Sequence, residues 1–545
     1  MKVDWAGAAN PGGPFLESYP AGMINSENRK NVLAFWIVLT LLGPIWQVAA
    51  SDSTLVIPPA GVSEHDVGPL QLPIVDHLLN KRDSFYFLDL DEYPQRTPVM
   101  FIGVFDSGTG GLAVLEAILS HDGFNNGDGM PIPDGVADFE QERFVFLADQ
   151  ANMPYGQYFS EGKEDLLIEH IFKNLHFLLS GKHYLAEDPS LVTNGNGPVK
   201  AIVIACNTAT ASGKRHLEAF MDHSGLGLPV FGVVDAGAIG ALECLEVMGP
   251  GSIGVLATVG TVATRGYEEA ILRLGREIGY GAMIRVYSQG GYGMAEAIDE
   301  DPAFYDRNRH ELNNGYRGPT LNGPENFQIK RDLLEAYNFD YSGNRMLCDH
   351  ESPEHCQAIQ INDPVNYMRY HLVSLLESLR RDPSALPLKC LILGCTHYPY
   401  LKHEVHKILK ELYHYRENGS YRYRGVLSKE VQLIDPAEKL AHELYTFLHD
   451  QALINTGKAC SNNRFFISVP NRYNPAVRTD ENGRFPYGYK YGRQAGEIQQ
   501  YVRVVPFGPS NIPMETLDRL QISTPAVFRE IIRFAPDLND RFRGP

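Results

Sequence analysis

The sequence predicts an α/β protein of two pseudo-symmetric lobes, each a mostly parallel sheet flanked by helices, with the active site in the cleft between them. Two observations carry this. From Pro98 onward, short apolar runs alternate with stretches whose apolar residues recur at three- and four-residue intervals, the pattern of parallel strands covered by helices on both faces. And two segments, KAIVIACNT ending near Cys206 and KCLILGCTH ending near Cys395, are near copies of each other. Each reads as a fully apolar strand that stops at a small residue, then a thiol, then a hydroxyl or amide side chain. Open α/β sheets place their ligands at the carboxyl ends of buried parallel strands, so a matched pair implies a cleft with a sulfur on either wall.

The elements follow in order. VMFIGVF is a strand and GGLAVLEAILSH a helix; RFVFLAD is a strand, followed by a helix around EDLLIEHIFKNLHFLLS. KAIVIAC, PVFGVV, SIGVLA, MIRVYS and KCLILGC supply further strands. Residues 301–363, rich in Asn, Gly, Pro and charge, read as an insertion with one short helix near KRDLLEAY. After about Arg464, a tail rich in Tyr, Arg, Gly and Pro has weak periodicity.

The N-terminus has a different character. Arg29 and Lys30 precede about twenty uncharged residues, VLAFWIVLTLLGPIWQVAA, that end on Ala49 and Ala50. This describes a secretory signal with cleavage after Ala50 and Met23 as the start, or a retained membrane anchor; Pro44 and the small-residue end favour cleavage. The expected division is therefore 1–50 as extension with signal or anchor and 51–98 as linker. Residues 99–228 with 430–545 form the first lobe plus a C-terminal extension, and 229–429 form the second lobe. Export to the periplasm is the expected location, with cytoplasmic and membrane-anchored alternatives.

At 545 residues, with 44% hydrophobic and 21% charged residues, the chain is globular rather than disordered. A net charge of −18 offers no basic excess to displace counterions, which argues against nucleic acid as a partner. Cys244 and Cys390 read as small buried apolar residues. In an exported chain, Cys348 and Cys356 of CDHESPEHC are expected to close a disulfide; their spacing fits no familiar zinc finger.

FDSGTGG sets Asp106 and Ser107 at a strand end before a helix, where glycines and free amides suit an anion. ADQANMPYGQ follows another strand and offers Asp149, Tyr155 and Gly156. Taken in order, FDSGTGG, MPYGQ, ACNTAT, GVVDAGA, IGVLATVGTVATRGYEEAI, GCTHYPYL and LIDPAEKLA closely resemble the glutamate racemases of the aspartate/glutamate racemase family, over roughly Val99 to His449 without the insertion. GCTH, where aspartate racemases have GCTE, favours glutamate.

The resemblance implies cofactor-independent interconversion of L- and D-glutamate, supplying D-glutamate for peptidoglycan, with no metal. Racemisation removes an α-hydrogen from one face and returns a proton to the other; a thiolate and a thiol on opposite sides accomplish this. By resemblance, Cys206 and Cys395 are the acid/base pair, with Asp106 assisting the first and His397 the second. Ser107, Tyr155, Gly156, Asn207, Thr208 and Thr396 match positions that bind the substrate together with Asp106 and His397. The family's additional glutamate falls in VYSQGGYGMAEAIDED, which lacks the usual cysteine and proline; Glu296 is its match. The implied partner is the small-molecule substrate; membrane contact through the N-terminal apolar segment and a homodimer are compatible with this reading. The alternatives are a related racemase or isomerase acting on aspartate or another acidic amino acid, and an exported non-catalytic binding protein.

Overall fold

The computed structural model describes residues 71–540 apart from 186–191, 196, 281–283, 299, 324–326, 351–354 and 458–461. The apolar segment before Ala50, Met23 and the first part of the expected linker lie outside the described residues. Among the described residues, no helix is long and apolar enough to cross a membrane.

Two separate sheets form the frame. The first contains β1 (Phe101–Asp106), β2 (Phe144–Ala148), β3 (Val199–Ile204) and β4 (Val230–Gly232). The second contains β5 (Ser252–Ala257), β6 (Arg285–Gly290), β7 (Leu388–Gly394) and β8 (Leu427–Ile434). The first four run in the order β2-β1-β3-β4 and the second four in the order β6-β5-β7-β8, all parallel. The two orders are the same, which is the pseudo-symmetry that the repeated segments imply. β1 and β3 are buried along their whole length, so their apolar runs lack a polar alternation. Gly103 in β1 is there for space: a Cβ would come within 3.1 Å of Leu178 on the covering helix α2 (Glu164–Ser180).

β9 (Arg464–Pro470) and β10 (Val502–Pro506) extend the first sheet. β9 pairs parallel with β2, and β10 pairs antiparallel with β9 at the edge. The tail therefore contains two strands that its weak periodicity concealed; the apolar Phe465, Phe466 and Ile467 are buried, but the flanking Tyr, Arg, Gly and Pro dilute the pattern.

Three further expectations need correction. Residues 71–98 are not linker: the helix Pro73–Leu79 buries Ile74, Val75 and Leu78 in the same core cluster as Phe172 and Leu175 of α2. The lobe boundary at 429/430 cuts through β8, which belongs wholly to the second sheet; its exposed Lys429 and Glu430 look like a break only because this is an edge strand. Cys244 and Cys390 are joined in a disulfide, with Cα atoms 6.5 Å apart, linking α4 (Val233–Met248) to β7. Their burial satisfied the apolar reading, and only the fold reveals that the two side chains meet. Cys348 and Cys356 also pair, so neither sulfur remains as a metal ligand beside Asp349.

Helix α5 (Pro436–Asp450) follows β8 and packs on both α4 and α1 (Leu112–Leu119), joining the two halves. Asp435 caps it by accepting from the Ala437 amide at 2.9 Å, with Pro436 at the first helical position. On the same helix, burial raises the Glu443 carboxyl from 4.5 to about 7, and its Oε1 has no hydrogen-bond partner. A raised folded value means that this group's contribution to stability is complete below about pH 4.5 and is lost as pH rises through about 7. Glu443→Gln should accordingly raise Tm by several degrees at pH 8 and little at pH 5, measured by calorimetry at both.

Candidate active site

Strand order places the chemistry. β1 and β3 are neighbours whose following connections leave to opposite sides, the crevice position at which open sheets bind ligands. Asp106 ends β1, and Cys206 lies two residues beyond β3. Cys206 caps α3 (Asn207–His223), its Sγ accepting from the Ala209 amide at 3.4 Å and donating to Ser107 Oγ at 3.6 Å. Asp106 is buried, and its Oδ2 accepts from the amides of Gly108 at 3.0 Å and Gly111 at 2.9 Å. Burial holds the Asp106 carboxyl above its usual range despite those donors. Burial, reinforced by the neighbouring Asp106, pushes the Cys206 thiol up to about 12.

The equivalent position of the second sheet follows β7. Cys395 is buried, with Sγ 3.5 Å from His397 Nδ1, and the same ring nitrogen lies 3.4 Å from Thr396 Oγ1. Tyr398 packs behind it, donating to the Gly291 carbonyl at 3.4 Å.

The two thiol-bearing segments meet. Asn207, next after Cys206, donates through Nδ2 to the carbonyl of Gly394, the residue before Cys395, at 3.5 Å, and Asn207 Oδ1 accepts from Tyr267 at 3.0 Å. Gly156 reaches the same junction: a Cβ there would lie 3.9 Å from Gly260 Cα of the second lobe and 4.0 Å from the Thr208 hydroxyl. A cavity of about 20 Å³ touches Asn207, Tyr267, Cys395, Thr396 and Asp435. It has room for about one water molecule. A cavity of about 610 Å³ lies elsewhere among Phe85, Tyr86, Tyr184 and Tyr473 and touches neither thiol, so chemistry rather than volume identifies the site.

No family model matches the chain. It is 23% identical over 368 residues to the glutamate racemase of Bacillus cereus, spanning 67% of this chain and 87% of that protein. With the glutamate racemase of Aquifex pyrophilus, identity is 24% over 351 residues, 64% of this chain and 84% of that one. The chain is thus similar in sequence to glutamate racemases over about two thirds of its length. Among solved structures, glutamate racemase isoform RacE1 from Bacillus anthracis matches 68% of this chain and 88% of its own at 22% identity and a TM-score of 0.37. The Francisella tularensis glutamate racemase, solved with D-glutamate, matches 73% of this chain and 95% of its own at 20% identity and a TM-score of 0.36.

In this chain, Asp106, Ser107, Cys206, Asn207 and Thr208 gather at one strand-end cluster and Cys395, Thr396 and His397 at the other. Two expected residues sit differently. Glu296 is exposed on the short helix Met294–Ile298, and its charge reaches Tyr398 and Tyr367. The VYSQGG strand carries neither the cysteine nor the proline of the family pattern, and Glu296 lies beyond it on a separate helix. Tyr155 is buried, its hydroxyl donating to Asp149 Oδ2 at 2.5 Å and accepting from Asn174 at 2.9 Å, so its hydroxyl is engaged within the loop.

Tyr267 and Asp435, both within the quoted motifs, also line the small cavity, which sequence reading did not single out. Burial raises Asp435 to about 6. Its D-P-A-E context advertises a helix start, which hides any second role. The Cys206 value has a direct check: in a Cys395→Ser background, iodoacetamide labelling of Cys206 should be slow at pH 7 and rise roughly tenfold per unit to pH 10. A plateau near pH 8 would contradict burial as the controlling effect.

Proposed function

We propose that this racemase interconverts L- and D-glutamate without a cofactor, Cys206 and Cys395 exchanging the roles of acid and base, and that its product serves peptidoglycan synthesis. The observation that carries the reading is the Asn207–Gly394 hydrogen bond, which brings together the two segments that bear the thiols. In one direction Cys395 gives its proton to the imidazole 3.5 Å away and, as thiolate, removes the α-hydrogen, while Cys206 delivers a proton to the opposite face. The high value of Cys206 suits the donor role, and the substrate ammonium entering between Asp106 and Cys206 would ease its conversion to thiolate for the reverse direction. Donors at Asn207, Thr208 and Thr396 are available to the substrate carboxylate and to the charge that grows on it as the α-hydrogen leaves.

Solvent deuterium tests this. Proton NMR of L-glutamate incubated with the enzyme in D₂O should show loss of the α-proton signal together with accumulation of the D-enantiomer. Binding without exchange would overturn the reading, and faster exchange of aspartate than of glutamate would reassign the substrate.

We also place the enzyme in an oxidising compartment. The Cys244–Cys390 and Cys348–Cys356 bridges support export, because thiols in reducing cytoplasm rarely stay paired. Cys206 and Cys395 remain free in the same environment. Fractionation of tagged protein followed by N-terminal sequencing checks this; recovery in the cytosol would refute it.

A further inference from the structure

We infer that the C-terminal extension is part of the active site, with Ser468 and Arg493 as positioning residues that hold the Asp149–Gly156 loop against the cleft. This rests on the racemase reading of that cleft.

The loop leaves β2 beside Asp106, and the Asp149 amide donates to the Asp106 carbonyl at 2.8 Å. It ends at Gly156, beside Thr208 and Gly260. Between these points its hydrogen bonds run backward into the extension. Ser468 of β9, only 2% exposed, donates to Asp149 Oδ1 at 2.6 Å and accepts from the Ala151 amide at 3.0 Å. Asp149 in turn accepts from Tyr155 at 2.5 Å and from Asn152 at 3.0 Å. Arg493, 5% exposed, donates to Asn152 Oδ1 at 2.9 Å and to the Tyr158 hydroxyl at 3.1 Å, while Lys490 donates to the Met153 carbonyl at 2.6 Å.

Buried polar groups of this kind fix a geometry because leaving any one of them unpaired is unfavourable. Ser468 pairs a backbone amide and a carboxylate at the start of the loop, and Arg493 clamps its middle. The cleft-facing end of the loop is therefore registered by a segment more than three hundred residues away in sequence.

The test combines amide hydrogen exchange over residues 150–157 with kinetics in both directions for Ser468→Ala, Arg493→Met, Ser468→Thr and Val505→Ala. Val505 is buried on β10 and belongs to the opposite core cluster, so it reports general destabilisation of the extension. Ser468→Ala and Arg493→Met are expected to speed exchange in the loop at least tenfold and raise KM about tenfold, with kcat within threefold of wild type. Ser468→Thr should restore both, and Val505→Ala should lower Tm without moving either. Unchanged loop exchange in Ser468→Ala, or faster exchange with KM unmoved, would overturn the inference; should Arg493→Met fail to fold, Ser468→Ala decides. Faster loop exchange in variants of a chain that racemises no glutamate would sink the racemase reading and leave the support of the loop by the extension standing.

Discussion

Cys206→Ser and Cys395→Ser should each reduce glutamate racemisation by about a thousandfold or more, as general acid/base groups contribute on the order of 10²–10⁴. Serine nearly preserves the shape of either buried site, so folding and Tm should change little, but an aliphatic hydroxyl is far too weak an acid to supply the missing partner at neutral pH. The informative result is asymmetry. Each variant keeps one competent thiol and should exchange the α-proton of the enantiomer whose hydrogen faces it, with retention of configuration, while leaving the other enantiomer untouched. The two variants should show opposite preferences, read by proton NMR of separate L- and D-glutamate incubations in D₂O. Racemisation above about a tenth of the wild-type rate in either variant would end the two-thiol mechanism.

The second large effect concerns stability. Cys244 and Cys390 are 146 residues apart, and the loop they close holds β5, β6, the insertion and the helix Pro364–Arg381, which is most of the second lobe. The chain-entropy relation for a loop of that length gives about 5 kcal/mol of stabilisation. Cys244→Ala with Cys390→Ala should therefore shift urea unfolding by up to about that amount, and reductant should produce a larger shift in wild type than in the double variant, where only the short Cys348–Cys356 loop remains to be opened. A difference below about 1 kcal/mol would overturn this expected contribution of the bridge. Activity should survive in the folded fraction, because both sulfurs lie away from the Cys395 end of β7: Cys390 is at its start and Cys244 on the helix behind it.

How much of this was legible follows from where the information resides. β1, β3, β5 and β7 are mostly apolar runs, and burial on both faces makes such strands visible without any partner in view. The sites of Cys206 and Cys395 were visible because their sequence surroundings repeat. β9 and β10 were not, since the pairing of β9 with β2, on which β10 then builds, is set by contacts across about three hundred residues and their own flanks are polar. The Cys244–Cys390 bridge depends on α4 lying against β7, which no spacing rule encodes. Tyr155 matched its motif correctly, yet whether a hydroxyl faces substrate or a carboxylate behind the loop depends on Asp149 and Asn174, and those are placed by other elements.

The addition of β9 alongside β2 also bears on biosynthesis. During vectorial translation β2 emerges early and must wait, with an unpaired edge, until the ribosome has delivered the whole second lobe and then residues 464–470. The second lobe can assemble within its own stretch of nascent polypeptide, whereas the first closes only near the end of synthesis. That interval is when the half-built sheet is most open to pairing with another chain, and it is where a chaperone would be needed most.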